Sequence, residues 1–232
     1  MKVSVEQVPL FIPPPKVARS VGVHVSGIIR CIATETGILK PEWAEELSLI
    51  EVKQSMRFSD PIVAIRVSMG LAWEDYYIRE ILAPEGVIDH PGEYECDGIY
   101  MSPDGEELSS ILIDRRQVRM IKVHEVKCTY KSTNTVGETE GELLSQFMWL
   151  AQIKAYCHAV KSVMADLHVL FVCGDYSYPI SPIKKRFRIV FEPDEILDNW
   201  QMLREYKEQR MIIEAERNKN VITPFRRNVR GS

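Results

Sequence analysis

Residues 120–129 read MIKVHEVKCT and carry the alternation of side chains expected of a β-strand. Successive side chains of a strand point to opposite faces. The alternation assigns Ile121, Val123, Glu125 and Lys127 to one face, and Lys122, His124, Val126 and Cys128 to the other. The sequence therefore places a carboxylate and an ammonium group on the same side of one strand.

The residues before this strand predict a helix followed by extended segments. The apolar spacing of 68–82 (SMGLAWEDYYIREIL) is typical of an amphipathic helix, which Pro84 and Gly86 would end. Alternation predicts strands over 94–101 and 108–113, with a turn at Ser102–Gly105 between them. A short helix-like segment over 24–31 and an acidic one over 41–51 precede them.

The residues after the strand predict a crossover and a final helix. A long apolar helix is expected over 140–164, and the continuous apolar run 167–173 (LHVLFVC) suits a strand covered on both faces. A further strand is expected over 186–191, and Pro193 can open a helix that runs to about Arg217. A hairpin followed by a strand–helix–strand crossover predicts a mixed α/β fold, with a central mixed β-sheet flanked by helices.

Composition restricts the class of protein. The chain has 232 residues, of which 45% are hydrophobic and 27% charged, as in ordinary globular proteins. No run approaches the roughly 18 apolar residues of a membrane span. Five cysteines without a Cys-x-x-Cys pair, and no apolar leader, favour reduced thiols in a cytoplasmic protein.

The length suits one large domain with appendages. Pro13–Pro15 favour an extended N-terminal arm over residues 1–20. The single domain is expected over 21–217, and a basic tail over 218–232.

Charge is distributed unevenly along the chain. Residues 31–110 hold 17 acidic and 5 basic side chains, a local charge of −12. Residues 181–190 and 217–232 contain basic residues and no acid. Such segments are either solvated faces or a basic stripe that binds a polyanion.

Asp97 lies in the extended segment that precedes the Glu125–Lys127 strand. If the two segments are neighbours, two carboxylates and one ammonium group converge, an arrangement that is costly when buried unless the charges are paired or bind metal. Asp97, Glu125 and the backbone carbonyl of Val126 would offer oxygen ligands to Mg²⁺ or Mn²⁺. Lys127 would orient or deprotonate a water molecule beside a phosphate. Taken alone, Glu-x-Lys is more often a surface ion pair.

Four motifs in order resemble the PD-(D/E)XK nuclease superfamily, in its RecB-like and lambda-exonuclease-like branch. They are Gly70-x-x-x-Glu74, Asp97, Glu125-x-Lys127 and Gln152-x-x-x-Tyr156. The resemblance covers roughly residues 68–172 and implies a restriction-endonuclease-like core. The proline that this superfamily places before the aspartate is replaced here by Cys96.

The resemblance implies a role for each matching residue. Asp97 and Glu125 would bind the metal, Glu74 would add a ligand directly or through water, and Lys127 would be the catalytic lysine. Gln152 and Tyr156 would border the active site and contact the DNA backbone; ordinary helix packing is the alternative. DNA contacts are expected from the basic and aromatic residues near the motifs, namely Arg115, Arg116, Tyr130, Lys131, Lys184, Lys185 and Arg186.

Other cofactors are not expected. Cys31 lies where iron–sulfur members of the branch place a cysteine, but no cysteine follows Cys173, so no iron–sulfur cluster is predicted. The sequence contains no P-loop and no Gly-x-Gly-x-x-Gly, so no nucleotide cofactor is predicted, and any helicase would be a separate protein.

The resemblance implies a metal-dependent deoxyribonuclease, with exonuclease action on DNA ends favoured. A structure- or site-specific endonuclease with the same centre, and an inactive nucleic-acid-binding module, are the alternatives. DNA is the expected partner. A homo-oligomer, a single-strand-binding or recombination partner, and roles in recombination, repair or a phage in its host cytoplasm stay open.

Overall fold

The computed structural model of the protein describes residues 20–40, 50–51, 61–113, 115–136, 143 and 145–221. Of the expected N-terminal arm, only Ser20 is among these residues. Of the helix expected over 41–51, only Ile50 and Glu51 are described, and they form a short strand. The last helix continues to Val221, beyond the expected end at Arg217, and the rest of the expected tail lies outside the described residues.

Four α-helices flank the strands of the described chain. They are α1 (Val25–Glu35), α2 (Pro61–Tyr77), α3 (Phe147–Val160) and α4 (Pro193–Val221). Helix α2 continues into a π-helical turn, Ile78–Leu82, and a 3₁₀ turn, Ala83–Glu85. None of the helices in the described residues has the length and apolar character needed to cross a membrane.

Helix α3 is shorter than the helix expected over 140–164. It ends because Lys161 adopts a left-handed conformation with φ of 56°, a common way to terminate a helix. The next strand already begins at Met164. Helix α4 opens at Pro193, as expected from the tolerance of proline in a first helical turn.

The strands form two mixed sheets, one small and one large. The small sheet has the order β2–β1–β5–β4 and consists of Gly22–His24 (β1), Ile50–Glu51 (β2), Tyr94–Cys96 (β4) and Ile99–Met101 (β5). The large sheet has the order β3–β6–β7–β8–β9. Its strands are Ile88–Asp89 (β3), Gly105–Ile113 (β6), Arg116–Thr129 (β7), Met164–Phe171 (β8) and Ile183–Val190 (β9).

The large sheet contains the expected crossover. Strands β6 and β7 form an antiparallel hairpin, β7 and β8 run parallel with α3 between them, and β9 pairs antiparallel with β8. Parallel strands need a long crossover connection, which is usually a helix, as it is here. The predicted mixed α/β fold is confirmed.

The hairpin predicted around Ser102–Gly105 does not form. Strand β5 belongs to the small sheet and β6 to the large one, so residues 102–104 carry the chain from one sheet to the other. The actual hairpins are β4–β5 and β6–β7. The connection over 102–104 is therefore the point at which the two sheets meet.

The main apolar core lies on one face of the large sheet. Val123 on β7, Leu167 on β8, Ile153 on α3, Ile28 on α1 and Leu203 on α4 are fully buried within it. On the opposite face Tyr77, Ile78 and Leu82 pack against Val126 of β7. Residues 165–169 of β8 are all buried, so this strand is covered on both faces, as its apolar sequence predicts.

Leu203→Ala is expected to lower the free energy of unfolding by about 2–5 kcal/mol, because it leaves a cavity where α4 packs on the core. Urea denaturation followed by circular dichroism measures the change. Leu197→Ala on the same helix is the control, since that side chain is 56% exposed and its loss should change stability by no more than about 0.5 kcal/mol. Equal losses for both variants would contradict the assigned packing.

Candidate functional site

Glu125 and Lys127 extend from the same face of β7, as their spacing predicts. Glu125 has no exposed surface, and the ammonium group of Lys127 donates to its Oε1. The Lys127 side chain is 24% exposed, so it reaches from the buried carboxylate toward solvent. The strand thus presents one buried acid with a cation beside it at an accessible surface.

Asp104 is the second acid of this cluster, and the sequence analysis did not select it. Its Oδ2 accepts a hydrogen bond of 2.8 Å from the backbone N–H of Val126. Val126 lies between Glu125 and Lys127 in the sequence, so the bond holds the Asp104 carboxyl directly beside both side chains. Residues 102–104, which connect the two sheets, therefore supply a functional group.

Glu74 approaches the cluster from α2. It lies close enough for its charge to raise the pKa of both Asp104 and Glu125. The ring of His90 faces Glu74, with 3.7 Å between Nε2 and Oε1. The backbone N–H of His90 donates to the backbone carbonyl of Asp104 at 3.2 Å. The side chain of Asp89 contacts the other ring nitrogen of His90. His90 thus touches two segments that carry the acids.

The charges of the cluster are poorly balanced. Burial, followed by the charges of Glu125 and Glu74, raises the pKa of Asp104 well above its usual range. Burial is also the main cause of the raised pKa of Glu125, although Lys127 opposes it. Burial works against the charge of Lys127, yet the neighbouring Glu125 and Asp104 carboxylates raise its pKa. Lys127 therefore stays charged, and its one positive charge is shared among several neighbouring carboxyl groups.

A hard divalent cation fits this donor set. Glu125 Oε2 is buried, and no donor among the described residues reaches it. Buried polar atoms are almost always hydrogen-bonded, so an exception calls for an explanation such as an ion. Asp104 and Glu125 offer carboxylate oxygens of the type that Mg²⁺ and Mn²⁺ prefer, and Glu74 lies next to them.

Asp97 does not join Glu125 and Lys127, so its expected position was wrong. It lies in the small sheet, in the two-residue turn between β4 and β5, where Cys96 pairs with Ile99. Its Oδ2 accepts a bond of 2.9 Å from Trp200 Nε1, and its carbonyl accepts one from Lys207. Asp97 therefore fastens the small sheet to α4.

Two signals in the sequence could have corrected this choice. Asp97 and Gly98 have φ values of 50° and 68°, as a type I′ hairpin turn requires, and Asp-Gly is a strong signal for that turn. Pro103 directly precedes Asp104, which is the order that gives the PD-(D/E)XK superfamily its name. Asp104 lies seven residues after Asp97.

Gln152 and Tyr156 lie on the inward side of α3, where Gln152 Nε2 donates to the Tyr156 hydroxyl. They line a small pocket together with His24, Ser26, Tyr100 and Ser102. Ser102 is two residues from Asp104, so the pocket lies next to the acidic cluster. The helix face predicted from the Gln-x-x-x-Tyr spacing borders a cavity.

The residues expected to contact DNA lie in three places. Arg115 and Arg116 lie at the exposed turn of the β6–β7 hairpin. Tyr130 and Lys131 follow β7, with the Lys131 ammonium group bonded to Gln146 at 2.6 Å and 5.2 Å from the centre of the Trp149 ring.

The third place is β9, which carries Lys184, Lys185 and Arg186. Lys184 lies over the ring of Tyr77. Arg186 donates to Asp166 at 2.6 Å and contacts Glu85 at 3.7 Å, so it is engaged within the protein. Lys184 and Arg186 are exposed, whereas Lys185 is half-buried.

Comparison with known proteins gives similarity of fold. No family model matches the sequence, and a search of curated proteins also gave no match. LHK-Exo, an alkaline exonuclease from Laribacter hongkongensis that has also been solved in complex with dAMP, has a similar chain path. It is 14% identical over 86% of this chain and 93% of its own, with a TM-score of 0.49.

A phage-related exonuclease from Haemophilus somnus 129PT is also similar. It is 12% identical over 84% of this chain and 96% of its own, with a TM-score of 0.45. At these identities the similarity is limited to the fold.

Asp104→Asn is expected to weaken Mn²⁺ binding at least about tenfold, because the variant lacks one buried negative charge of the cluster and even indirect partners of metal ligands contribute that much. Isothermal titration with Mn²⁺ in the absence of DNA measures the Kd. Asp97→Asn is the matched control, since an asparagine oxygen can still accept the Trp200 bond, and its Kd should not change. A Kd that rises only in Asp97→Asn would reverse the assignment.

Proposed function

We propose that this protein is a divalent-metal-dependent deoxyribonuclease that hydrolyses phosphodiester bonds. The observation that carries the proposal is the meeting of Glu74, Asp104, Glu125 and Lys127 at one partly accessible point. With Asp104 in the place first given to Asp97, all four elements of the sequence resemblance occur in their expected order. Three acids with a lysine suit phosphodiester hydrolysis better than a structural ion pair, which needs only one acid and one base.

Mg²⁺ or Mn²⁺ is the proposed cofactor. Asp104, Glu125 and the backbone carbonyl of Val126 would hold it, with Glu74 as a further ligand directly or through water. The ion would acidify a bound water molecule and neutralise the charge that develops on the phosphate. The orphaned Glu125 Oε2 is the atom of this chain that such an ion would satisfy.

Lys127 acts in this proposal as a cation. The charged amine, held beside Glu125, would orient the attacking water and stabilise the phosphate oxygens. Glu125 Oε1 accepts one of its hydrogens and fixes the direction of the ammonium group. The remaining hydrogens can face the substrate, because this side chain reaches solvent.

Action at DNA ends is favoured by the pocket beside the acids. It includes Val25 and Ser26 at the start of α1, where backbone N–H groups lack partners within the helix and the helix dipole favours an anion. Ser102, Gln152 and Tyr156 add hydroxyl and amide groups. A small pocket lined by these polar groups suits the phosphate of a strand end better than a continuous duplex.

DNA would approach this centre despite the acidic surroundings through the basic residues of three separate elements. Arg115, Arg116, Lys131 and Lys184 have the charge to contact phosphates, and Tyr130 can stack on a base. Lys185 lies on the same strand as Lys184. Arg186 is left out of this set, because its guanidinium group already bonds to Asp166.

Lys127→Met is expected to lower the rate of Mg²⁺-dependent DNA cleavage at least about a hundredfold while DNA affinity stays nearly unchanged, because the lost amine acts on the transition state. A time course on end-labelled duplex, with and without a chelator, measures the rate, and filter binding measures affinity. Lys40→Met, at an exposed position, is the control. Wild-type rates in Lys127→Met would contradict the mechanism, and an absence of cleavage by the wild type would favour a binding module.

Exonuclease action predicts that linear duplex is degraded while a covalently closed circle of the same sequence stays intact. Removing the terminal phosphate should slow degradation, because the pocket loses its anion. The Gln152→Ala variant should degrade phosphorylated ends more slowly than the wild type. Its rates on DNA with and without the terminal phosphate should also differ less. Cutting of the closed circle at a comparable rate would instead establish an endonuclease.

A further inference from the structure

A continuous chain of hydrogen bonds lies beneath the candidate site, on the opposite face of β7. The Tyr77 hydroxyl is 3.2 Å from His168 Nδ1, and His168 Nε2 is 3.0 Å from His124 Nδ1. His124 Nε2 lies 3.2 Å from Glu107 Oε2. Tyr77, His124 and His168 are each at most 3% exposed, so the chain is shielded from water.

The donor and acceptor in each bond follow from Glu107, the last residue of the chain. Glu107 also accepts from Lys122 at 3.0 Å, as an ionised carboxylate does, so His124 must donate to it from Nε2. Both rings are fully buried and bond to each other through ring nitrogens, so each is neutral and carries one hydrogen. His124 Nδ1 then accepts from His168 Nε2, and His168 Nδ1 accepts from the Tyr77 hydroxyl.

Tyr77 connects this chain to the acids. It is the last residue of α2 and lies three positions after Glu74, so the two residues are neighbours on the helix surface. The regular helix ends there and a π-helical turn begins, a feature that is frequent at functional sites. The Tyr77 ring also stacks on Trp73, with 5.2 Å between centroids, and packs with Val126.

We propose that Tyr77 is a positioning residue for the candidate metal centre. Its hydroxyl bond to His168 sets the rotation of the last turn of α2 on the large sheet, and this rotation aims Glu74 at Asp104 and Glu125. The inference rests on the proposed function, because it assigns Tyr77 a role through a metal ligand. Tyr77 does not touch the substrate or the reacting atoms.

A second metal site in this network is the competing interpretation. His124, Asp166 and His168 offer ligand atoms that all lie within 4.8 Å of one another. However, Asp166 Oδ2 already accepts from Arg186 at 2.6 Å and from Lys122 at 3.1 Å. A divalent ion would lie against these two cations, so the network suits a positioning role better than metal binding.

The test is the Mn²⁺ affinity of Tyr77→Phe, which keeps the ring and removes only the hydroxyl. Titration without DNA should give a Kd about three- to tenfold above that of the wild type, below the losses of 10- to 100-fold typical of direct partners of metal ligands. Tyr76→Phe is the matched control, since this neighbouring side chain is 52% exposed, and its Kd should not change. A lower Tm in Tyr77→Phe with an unchanged Kd would mean a purely structural role and would overturn the inference.

A double-mutant comparison identifies the route of the effect. If Tyr77 acts through Glu74, Tyr77→Phe should not change the Kd further in a Glu74→Gln background. Independent effects of the two substitutions would overturn the inference.

Co²⁺ absorption bands that disappear in His168→Gln would also overturn it, by showing an ion in the network. A wild type that binds no Mn²⁺ would overturn both this inference and the proposed function, whereas wild-type binding with an unchanged Kd in Tyr77→Phe would affect only the role of Tyr77.

Discussion

One hydrogen bond, from the N–H of Val126 to the carboxylate of Asp104, determines the arrangement of the site. Strand β6 pairs with β7 only as far as Gly105 and His124, and the two strands directly before β6 belong to the small sheet. The N–H of Val126 therefore has no strand partner on that side. A buried unpaired N–H costs about 1–3 kcal/mol, and Asp104 removes this cost by accepting at 2.8 Å. The same bond joins the two sheets and places the carboxyl beside Glu125, so architecture and chemistry share one contact.

The two faces of β7 differ in their balance of charge, and this difference separates a binding site from a structural network. On one face Glu107 and Asp166 are matched by Lys122 and Arg186, and each carboxylate accepts from a cation. Buried ion pairs of this kind hold elements in place. On the other face Asp104 and Glu125 share the amine of Lys127, Glu74 faces His90, and one oxygen of Glu125 has no partner among the described residues. An added cation would balance the negative charge beside Glu125, whereas Lys122 and Arg186 would repel it from the opposite face.

The sequence predicted what depends on local periodicity and missed what depends on contacts between distant segments. Alternation along β7 placed Glu125 and Lys127 on a common face, and the apolar run of β8 predicted a strand buried on both sides. The choice of Asp97 failed because it assumed that neighbouring extended segments belong to one sheet. Only the pairing of β1 with β5 shows that residues 99–101 leave the large sheet, and β1 is more than 70 residues earlier in the chain. Local turn chemistry at Asp97 nevertheless contained the correct information.

The alternation of β7 also explains why a residue on the far face can influence the acids. Successive residues His124, Glu125 and Val126 point to opposite faces while sharing one backbone, so the network and the cluster have a common rigid support. Helix α2 touches both, because Tyr77 bonds to the network and Glu74 reaches the acids one helical turn earlier. Tyr77 holds the end of this helix, where the α-helical hydrogen bonding gives way to a π-helical turn. The aim of Glu74 is thus fixed by a bond on the side of the sheet that the substrate does not reach.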